Sequence, residues 1–228
     1  MKLITVSGPP SSGKTSVLIH VIKSLIARHQ KVGIIKFDCL LTDDDKLFKA
    51  LDIPVRVGLS GSICPDHYFV SNVEDCVQWG TENNLDFLIS ESAGLCNRCS
   101  PHIKGVLSVC VIDNLMGINT PKKIGPMLKY ADIVVITRGD IVSQAEREVF
   151  AFKVRQANPK AKIMQINGIT GQGAAELATL FYDDARAVSS LNGERLRFAM
   201  PSALCSYCLG EIQIGKDFQL GNIKKIKV

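Results

Sequence analysis

An α/β sandwich of three layers on a mainly parallel sheet is the fold this sequence predicts, and three observations predict it. Short apolar runs without polar alternation recur at residues 3–6, 32–37, 87–90, 106–112, 133–137 and 163–166, the pattern of strands buried on both faces. Segments of helical spacing separate most of them. A glycine-containing loop stands where the first strand gives way to the first helix.

That loop reads Gly8-Pro9-Pro10-Ser11-Ser12-Gly13-Lys14-Thr15, the form G-x-x-x-x-G-K-T in the strand-to-helix context it requires, so the sandwich is of the P-loop NTPase kind. Backbone N–H groups of such a loop cradle phosphate oxygens, and the positive end of the helix adds to them. Gly8 and Gly13 supply backbone freedom, Lys14 places a charge at the β- and γ-phosphates, and Thr15 can ligate Mg²⁺. The helix that follows carries one apolar stripe, Val17, Leu18, Val21, Ile22, Leu25 and Ile26, with Lys23 and Arg28 off it. Similar patterns occupy about 68–81, 143–157 and 174–185.

The strand 87–90 ends in Glu91, and Gly94 follows three residues later. An acid there can hold Mg²⁺, and a glycine N–H can meet a γ-phosphate in a loop that changes shape when that phosphate leaves. Asp38, after the strand 32–37, is a second candidate for Mg²⁺ or for orienting the attacking water, with Asp43, Asp44 and Asp45 as competitors.

The alternation stops near Leu191-Asn192-Gly193. Residues 1–190 are expected to form the nucleotide domain, and 195–228 a small appendage with Cys205-Ser206-Tyr207-Cys208 and short strands at 211–215 and 218–221. Apolar residues at 46% and charged residues at 21% exclude a disordered chain. No apolar run approaches the roughly 20 residues of a bilayer span, and no export signal precedes the loop. The expected compartment is therefore cytoplasmic, where paired cysteines, among eight in all, read as metal-binding or redox rather than disulfide-forming. The net charge of +5 lies mostly in 195–228, where six basic side chains face Glu211 and Asp217. A solvated tail and an acidic partner are both open readings. Nucleic acid is not expected, since the few aromatics are not interleaved with the charges.

In order and spacing, five blocks resemble the metal-insertion GTPases of hydrogenase and urease maturation (the HypB/UreG family). They are the phosphate loop, Gly61-Ser62-Ile63-Cys64-Pro65-Asp66-His67, Ser90-Glu91-Ser92-Ala93-Gly94, Val111-Ile112-Asp113 with Thr137-Arg138-Gly139-Asp140, and Asn167-Gly168-Ile169-Thr170-Gly171-Gln172-Gly173. The resemblance covers about residues 1–185. It implies nucleotide contacts from Gly8, Ser11, Ser12, Gly13, Lys14, Thr15 and Ser16, from Gly94, and from Arg138, Asp140, Asn167 and Gly168. Lys14, Asp38 and Glu91 carry hydrolysis, and Thr15, Asp38 and Glu91 hold Mg²⁺. The base-reading N-K-x-D of that family is Thr137-Arg138-Gly139-Asp140 here. Asp140 can still accept from guanine N1 and N2 while the Arg138 stem covers the base, but the lost asparagine leaves ATP open beside GTP.

The resemblance also places a metal-binding Cys-Pro-His or Cys-His element at Cys64 and His67, although Asp66 separates Pro65 from His67. Thiolate and imidazole suit Ni²⁺ or Zn²⁺, and two ligands per chain call for a homodimer to complete four-coordination. Cys96-Asn97-Arg98-Cys99 lies in the loop after Gly94, and with Cys205 and Cys208 it makes two C-x-x-C pairs, enough for zinc or an iron–sulfur cluster. His102 is a candidate extra ligand, whereas Cys39, Cys76 and Cys110 read as small buried hydrophobes. The function expected is nucleotide hydrolysis that drives metal or cluster delivery to a client metalloenzyme or its maturation proteins. An iron–sulfur ATPase that activates or gates electron transfer to a metalloprotein, and a small-molecule kinase, are the alternatives.

Overall fold

The computed structural model describes residues 1–40, 44–200 and 209–227. Seven strands form one sheet, β1 (Lys2–Ser7), β2 (Val32–Asp38), β3 (Val55–Leu59), β4 (Phe87–Ser92), β5 (Leu107–Asp113), β6 (Ile133–Thr137) and β7 (Lys162–Gln165), in the order β3-β2-β4-β1-β5-β6-β7. Every pairing is parallel. The helices are α1 (Lys14–Ile26), α2 (Asp44–Lys49), α3 (Pro65–Glu82), α4 (Thr120–Lys123), α5 (Pro126–Lys129), α6 (Gln144–Ala157) and α7 (Ala174–Asp184). The chain leaves β1 for one side of the sheet, returns through β4, and then builds β5 to β7 on the other side. The phosphate loop therefore stands at the carboxyl ends of the strands where the winding reverses, the place where open α/β sheets take ligands.

Two-residue periodicity divides each strand between the two faces. Ile4, Val6, Ile34, Ile89, Val109 and Val135 face a core closed by α1 and α7. Leu3, Ile35, Phe37 and Leu88 face a second core under α3, and Cys110, Ile112, Val134 and Ile136 a third under α4, α5 and α6. On α1 the buried stripe is Val17, Leu18, Val21, Ile22 and Leu25, whereas Ile26 emerges at 37% exposure because the helix ends there. Each fully buried aliphatic contributes roughly 1.5–3 kcal/mol over its exposed form. Ser143 and Glu146 close a capping box on α6, which fixes its start.

Two elements go beyond the sequence reading. β3 is an edge strand carrying Arg56 and Gly58 in five residues, so it shows no continuous apolar run. The short helix α2 carries Asp44 and Asp45 in its first turn, a Lys49–Asp45 pair at 2.6 Å, and Phe48 buried in the first core.

The described C-terminal residues pack against the nucleotide domain. Leu196, Met200, Ile214 and Ile226 are buried in the core under α3. Backbone bonds link Lys104 to Arg195, Leu196 to Ile212, Met200 to Glu211 and Ile214 to Glu194, where a strand at 211–215 was expected. Residues 216–218 form a 3₁₀ turn, and no strand occupies 218–221. Three of the tail cations are engaged internally. Arg197 makes two 2.7 Å bonds to Asp132 and donates to the carbonyls of Ile103, Val106 and Tyr130, Lys225 pairs with Asp75, and Lys224 donates to Leu59 O. Cys205 and Cys208 lie outside the described residues.

His102 belongs to the core rather than to a metal site. Its ring is fully buried, Nε2 donates to Met127 O at 2.8 Å, and Nδ1 lies 3.3 Å from Thr5 Oγ1. Burial pulls its pKa down to about 4 from an ordinary 6.5. Between these values the unfolded chain takes up a proton that the folded chain refuses, so stability falls as pH falls through that window. Urea unfolding at about pH 7.5 and about pH 5 should show a loss of about 2 kcal/mol in wild type that His102→Gln lacks. Equal pH dependence in the two proteins would place the proton elsewhere.

Candidate nucleotide site

Lys14 opens α1 behind Gly13, whose left-handed backbone (φ 88°) serves as N-cap with no side-chain cap. The first-turn amides thus face the loop without a side chain between them and a ligand. Lys14 Nζ bonds to Gly8 O and Pro9 O, both at 2.9 Å, folding the ammonium over the loop it serves. Burial draws its pKa below the usual lysine value, and Lys36 adds to that effect against the pull of Glu91. A phosphate oxyanion is the complement such a site calls for.

The loop is clamped from three directions. Thr137 Oγ1 donates to Ser12 O at 2.8 Å, so the first residue of the Thr137–Asp140 motif anchors the phosphate loop. Arg138 (φ 57°) bonds to Ser11 O at 2.9 Å and to Asp113 at 2.8 Å, so its guanidinium ties the loop to the end of β5. On the third side Gly94 (φ 62°) touches Gly8 so closely that an added Cβ would come 2.0 Å from Gly8 O. The segment after β4 thus lies directly on the phosphate loop.

A cleft of about 450 Å³ opens here, lined among others by Lys14, Thr15, Ser16, Asp38, Glu91 and Leu95. Thr15 Oγ1 lies within hydrogen-bond distance of Glu91 Oε1 at 2.9 Å and Asp44 Oδ2 at 3.1 Å, with one proton to share between them. Asp38 lines the same cleft, with Oδ1 accepting from Cys39 N at 2.7 Å. One residue was not singled out in the sequence: Lys36, buried in β2. Its Nζ lies 2.9 Å from Glu91 Oε1 and 3.4 Å from Thr15 Oγ1, and pairs closely with Asp44. Burial works against its charge, but Glu91 and Asp44 outweigh burial and hold its pKa above the ordinary value. A lysine inside an apolar strand was the available signal, because buried ammonium groups require a partner. Removing one member of such a buried pair costs about 3–5 kcal/mol. The three hard oxygens, with Glu91 Oε2 buried and unpartnered among the described residues, suit Mg²⁺ shared with substrate phosphates.

Asp140 stands in a neighbouring groove of about 420 Å³ with Gly139, Gln165, Asn167 and Gln172. Asn167 Oδ1 accepts from the N–H groups of Ile169 and Thr170, so this oxygen shapes the turn, while Gly168 sits against Ser16 of α1.

The cysteine elements are distributed differently from a presented metal centre. His67 is buried, with Nε2 donating to Asn222 O at 3.0 Å and Nδ1 lying 3.4 Å from Glu211 Oε1. The ring therefore joins α3 to the C-terminal residues through Nε2. Cys96 is half-buried and Cys99 buried. Among the described residues no three His, Cys, Asp or Glu side chains are grouped to hold a metal ion. Cys76 and Cys110 are buried as expected, and burial pushes the Cys110 thiol up to about 12; Cys39 is half-buried instead. No helix among the described residues is long and apolar enough to cross a membrane.

Fold, loop and oxygen-lined cleft define a P-loop NTPase. Residues 2–165 match the model of the CobW/HypB/UreG nucleotide-binding domain, and the chain belongs to that family. An uncharacterised protein of Methanocaldococcus jannaschii is 48% identical over 226 residues, covering 99% of this chain and 96% of its own. The urease accessory protein UreG of Yersinia enterocolitica is 29% identical over 195 residues, covering 79% and 88%. Among solved structures, the hydrogenase maturation factor HypB of Archaeoglobus fulgidus superimposes with a TM-score of 0.64 at 19% identity, covering 80% and 89%. HypB of Helicobacter pylori in complex with nickel gives 0.64 at 16%, covering 83% and 91%.

Lys14→Ala should weaken Mg²⁺–nucleotide binding by roughly 10–100-fold, the worth of a charge-assisted contact, while circular dichroism stays that of the native fold. Calorimetric titration measures it, and unchanged affinity would remove Lys14 from the phosphates.

Proposed function

We propose that this chain is a GTP-hydrolysing maturation factor that hands a metal ion or cluster to a client metalloenzyme or to that enzyme's maturation proteins. The observation that carries the reading is the contact of Gly94 with Gly8: the segment leading into Cys96 and Cys99 rests on the phosphate loop. Membership of a family with UreG and HypB among its named members supports the same reading.

In this reading Lys14 and the loop amides stabilise charge on the transferring phosphoryl group. Thr15, Glu91 and Asp44 hold Mg²⁺, which supplies charge neutralisation at the β- and γ-phosphates when bound. Asp38, on the cleft wall, orients the attacking water. Asp140 reads the base. Loss of the γ-phosphate releases the segment at Gly94 and changes the spacing of Cys96 and Cys99, coupling nucleotide state to affinity for the cargo. A soft metal takes four ligands, and two thiolates per chain are completed by Cys205 and Cys208 or by a second copy. Met200, from which the segment carrying that second pair departs, shares a buried cluster with Cys99.

Asp140→Asn should lower the preference for GTP over ATP by about tenfold or more, because a carboxylate that pairs with two guanine donors becomes an amide. Competition binding with both nucleotides measures it; equal affinity of the unmodified protein for ATP and GTP would end the base-reading assignment. Nickel and zinc affinity should also differ between the protein bound to a non-hydrolysable triphosphate and the protein bound to diphosphate, and Cys96→Ser should abolish the difference. Identical affinity in all four states would sever cargo from nucleotide. Visible iron–sulfur absorption in anaerobically purified protein would turn the reading toward cluster chemistry.

A further inference from the structure

β2 and β4 are register partners at Lys36 and Glu91, so their side chains leave the sheet on the same face, toward α1. Thr15, in the first turn of α1, meets them there, and Phe48 anchors α2 so that Asp44 closes the fourth side. Lys36 is 4% exposed, and its ammonium is ringed by two carboxylates and a hydroxyl. These are the oxygens that fit Mg²⁺, and the second Glu91 oxygen has no partner among the described residues. A lysine and a divalent ion cannot share them: the charges would repel at contact distance in a buried site.

We propose that Lys36 is a built-in counter-cation that holds the Mg²⁺ position while the site is without nucleotide, and that loading of Mg²⁺–nucleotide displaces it onto the terminal phosphate. This rests on the cleft being the nucleotide site. The displacement exchanges one cation for another among Thr15, Asp44 and Glu91, so these oxygens keep a counter-charge throughout. Divalent ion alone is excluded, because it brings no anion to receive the ammonium. With triphosphate the ammonium gains a new partner beside Lys14, so Lys36 becomes a specificity-determining residue that favours triphosphate over diphosphate.

The test is Mn²⁺ binding to nucleotide-free protein, measured by electron paramagnetic resonance, for wild type and Lys36→Met, which keeps an unbranched stem one atom shorter and removes the charge. The variant should bind Mn²⁺ about tenfold or more tightly than wild type, and the double variant Lys36→Met, Asp44→Asn should lose most of that gain. Equal affinity in wild type and Lys36→Met overturns the proposal. If the single variant unfolds without divalent ion, its melting temperature should rise with added Mn²⁺; melting indifferent to Mn²⁺ overturns it equally. A second measurement compares Mg²⁺–triphosphate with Mg²⁺–diphosphate affinity, where Lys36→Met should cut the ratio by about tenfold. An unchanged ratio removes the phosphate contact. The Mn²⁺ measurement uses no nucleotide, so its failure is distinct from failure of the phosphate site, which Lys14→Ala reports.

Discussion

β4 runs between β1 and β2, and its register with both is the constraint on which the phosphate end of the molecule depends. Val6 pairs with Glu91 on one side and Lys36 with Glu91 on the other. A slip of one residue would turn Glu91 to the α3 face and leave Lys36 buried without its partner. The apolar residues Phe87, Leu88 and Ile89, buried on both faces, do little to prevent such a slip by themselves. The buried ion pair does, because only one register lets the ammonium and the carboxylate meet. Such pairs add little net stability compared with apolar residues, and their better-attested use is to specify one arrangement among several.

On this base the loops are held by contacts too close for side chains. Gly8 would bring a Cβ within 2.0 Å of Val111 O, and Gly94 would do the same to Gly8 O. The phosphate loop is therefore stacked between β5 and the segment after β4. Thr137 and Arg138 tie it to β6, so three strand ends converge on one turn. A loop clamped this way meets its ligand with little ordering left to do, which is what preorganised electrostatic stabilisation requires.

The sequence made the parallel sandwich and the phosphate loop legible because both are local patterns: apolar runs, one helical stripe, one spaced motif. β3 escaped because Arg56 and Gly58 interrupt it; Arg56 lies over the Trp79 ring instead, 5.4 Å from its centroid. Lys36 escaped for the opposite reason, as one charge inside a run otherwise apolar, with its partners 8 and 55 positions away. What the rings of His67 and His102 touch was not legible either, because spacing along the chain does not reveal it. Their environments are set by Asn222, Glu211 and Met127, which the chain brings in from far along its length. The packing of the C-terminal residues was hidden for the same reason, since the apolar side chains of Leu196, Met200, Ile214 and Ile226 share a core with α3.

One contact at the end of β4 ties the two faces of the sheet together. Ser92 Oγ donates to Asp66 Oδ1 at 3.0 Å, inside the buried first turn of α3. The strand end that adjoins the phosphate loop is thereby fastened to one end of an 18-residue helix, about 27 Å long. The helix is also held along its length, by Phe69, Val73, Val77 and Trp79 in the core beneath it. Midway along, Asn72 and Asp75 grip Lys224, Ile226 and Lys225. One buried shaft therefore carries the strand end at the phosphate loop and the C-terminal residues on a common mount.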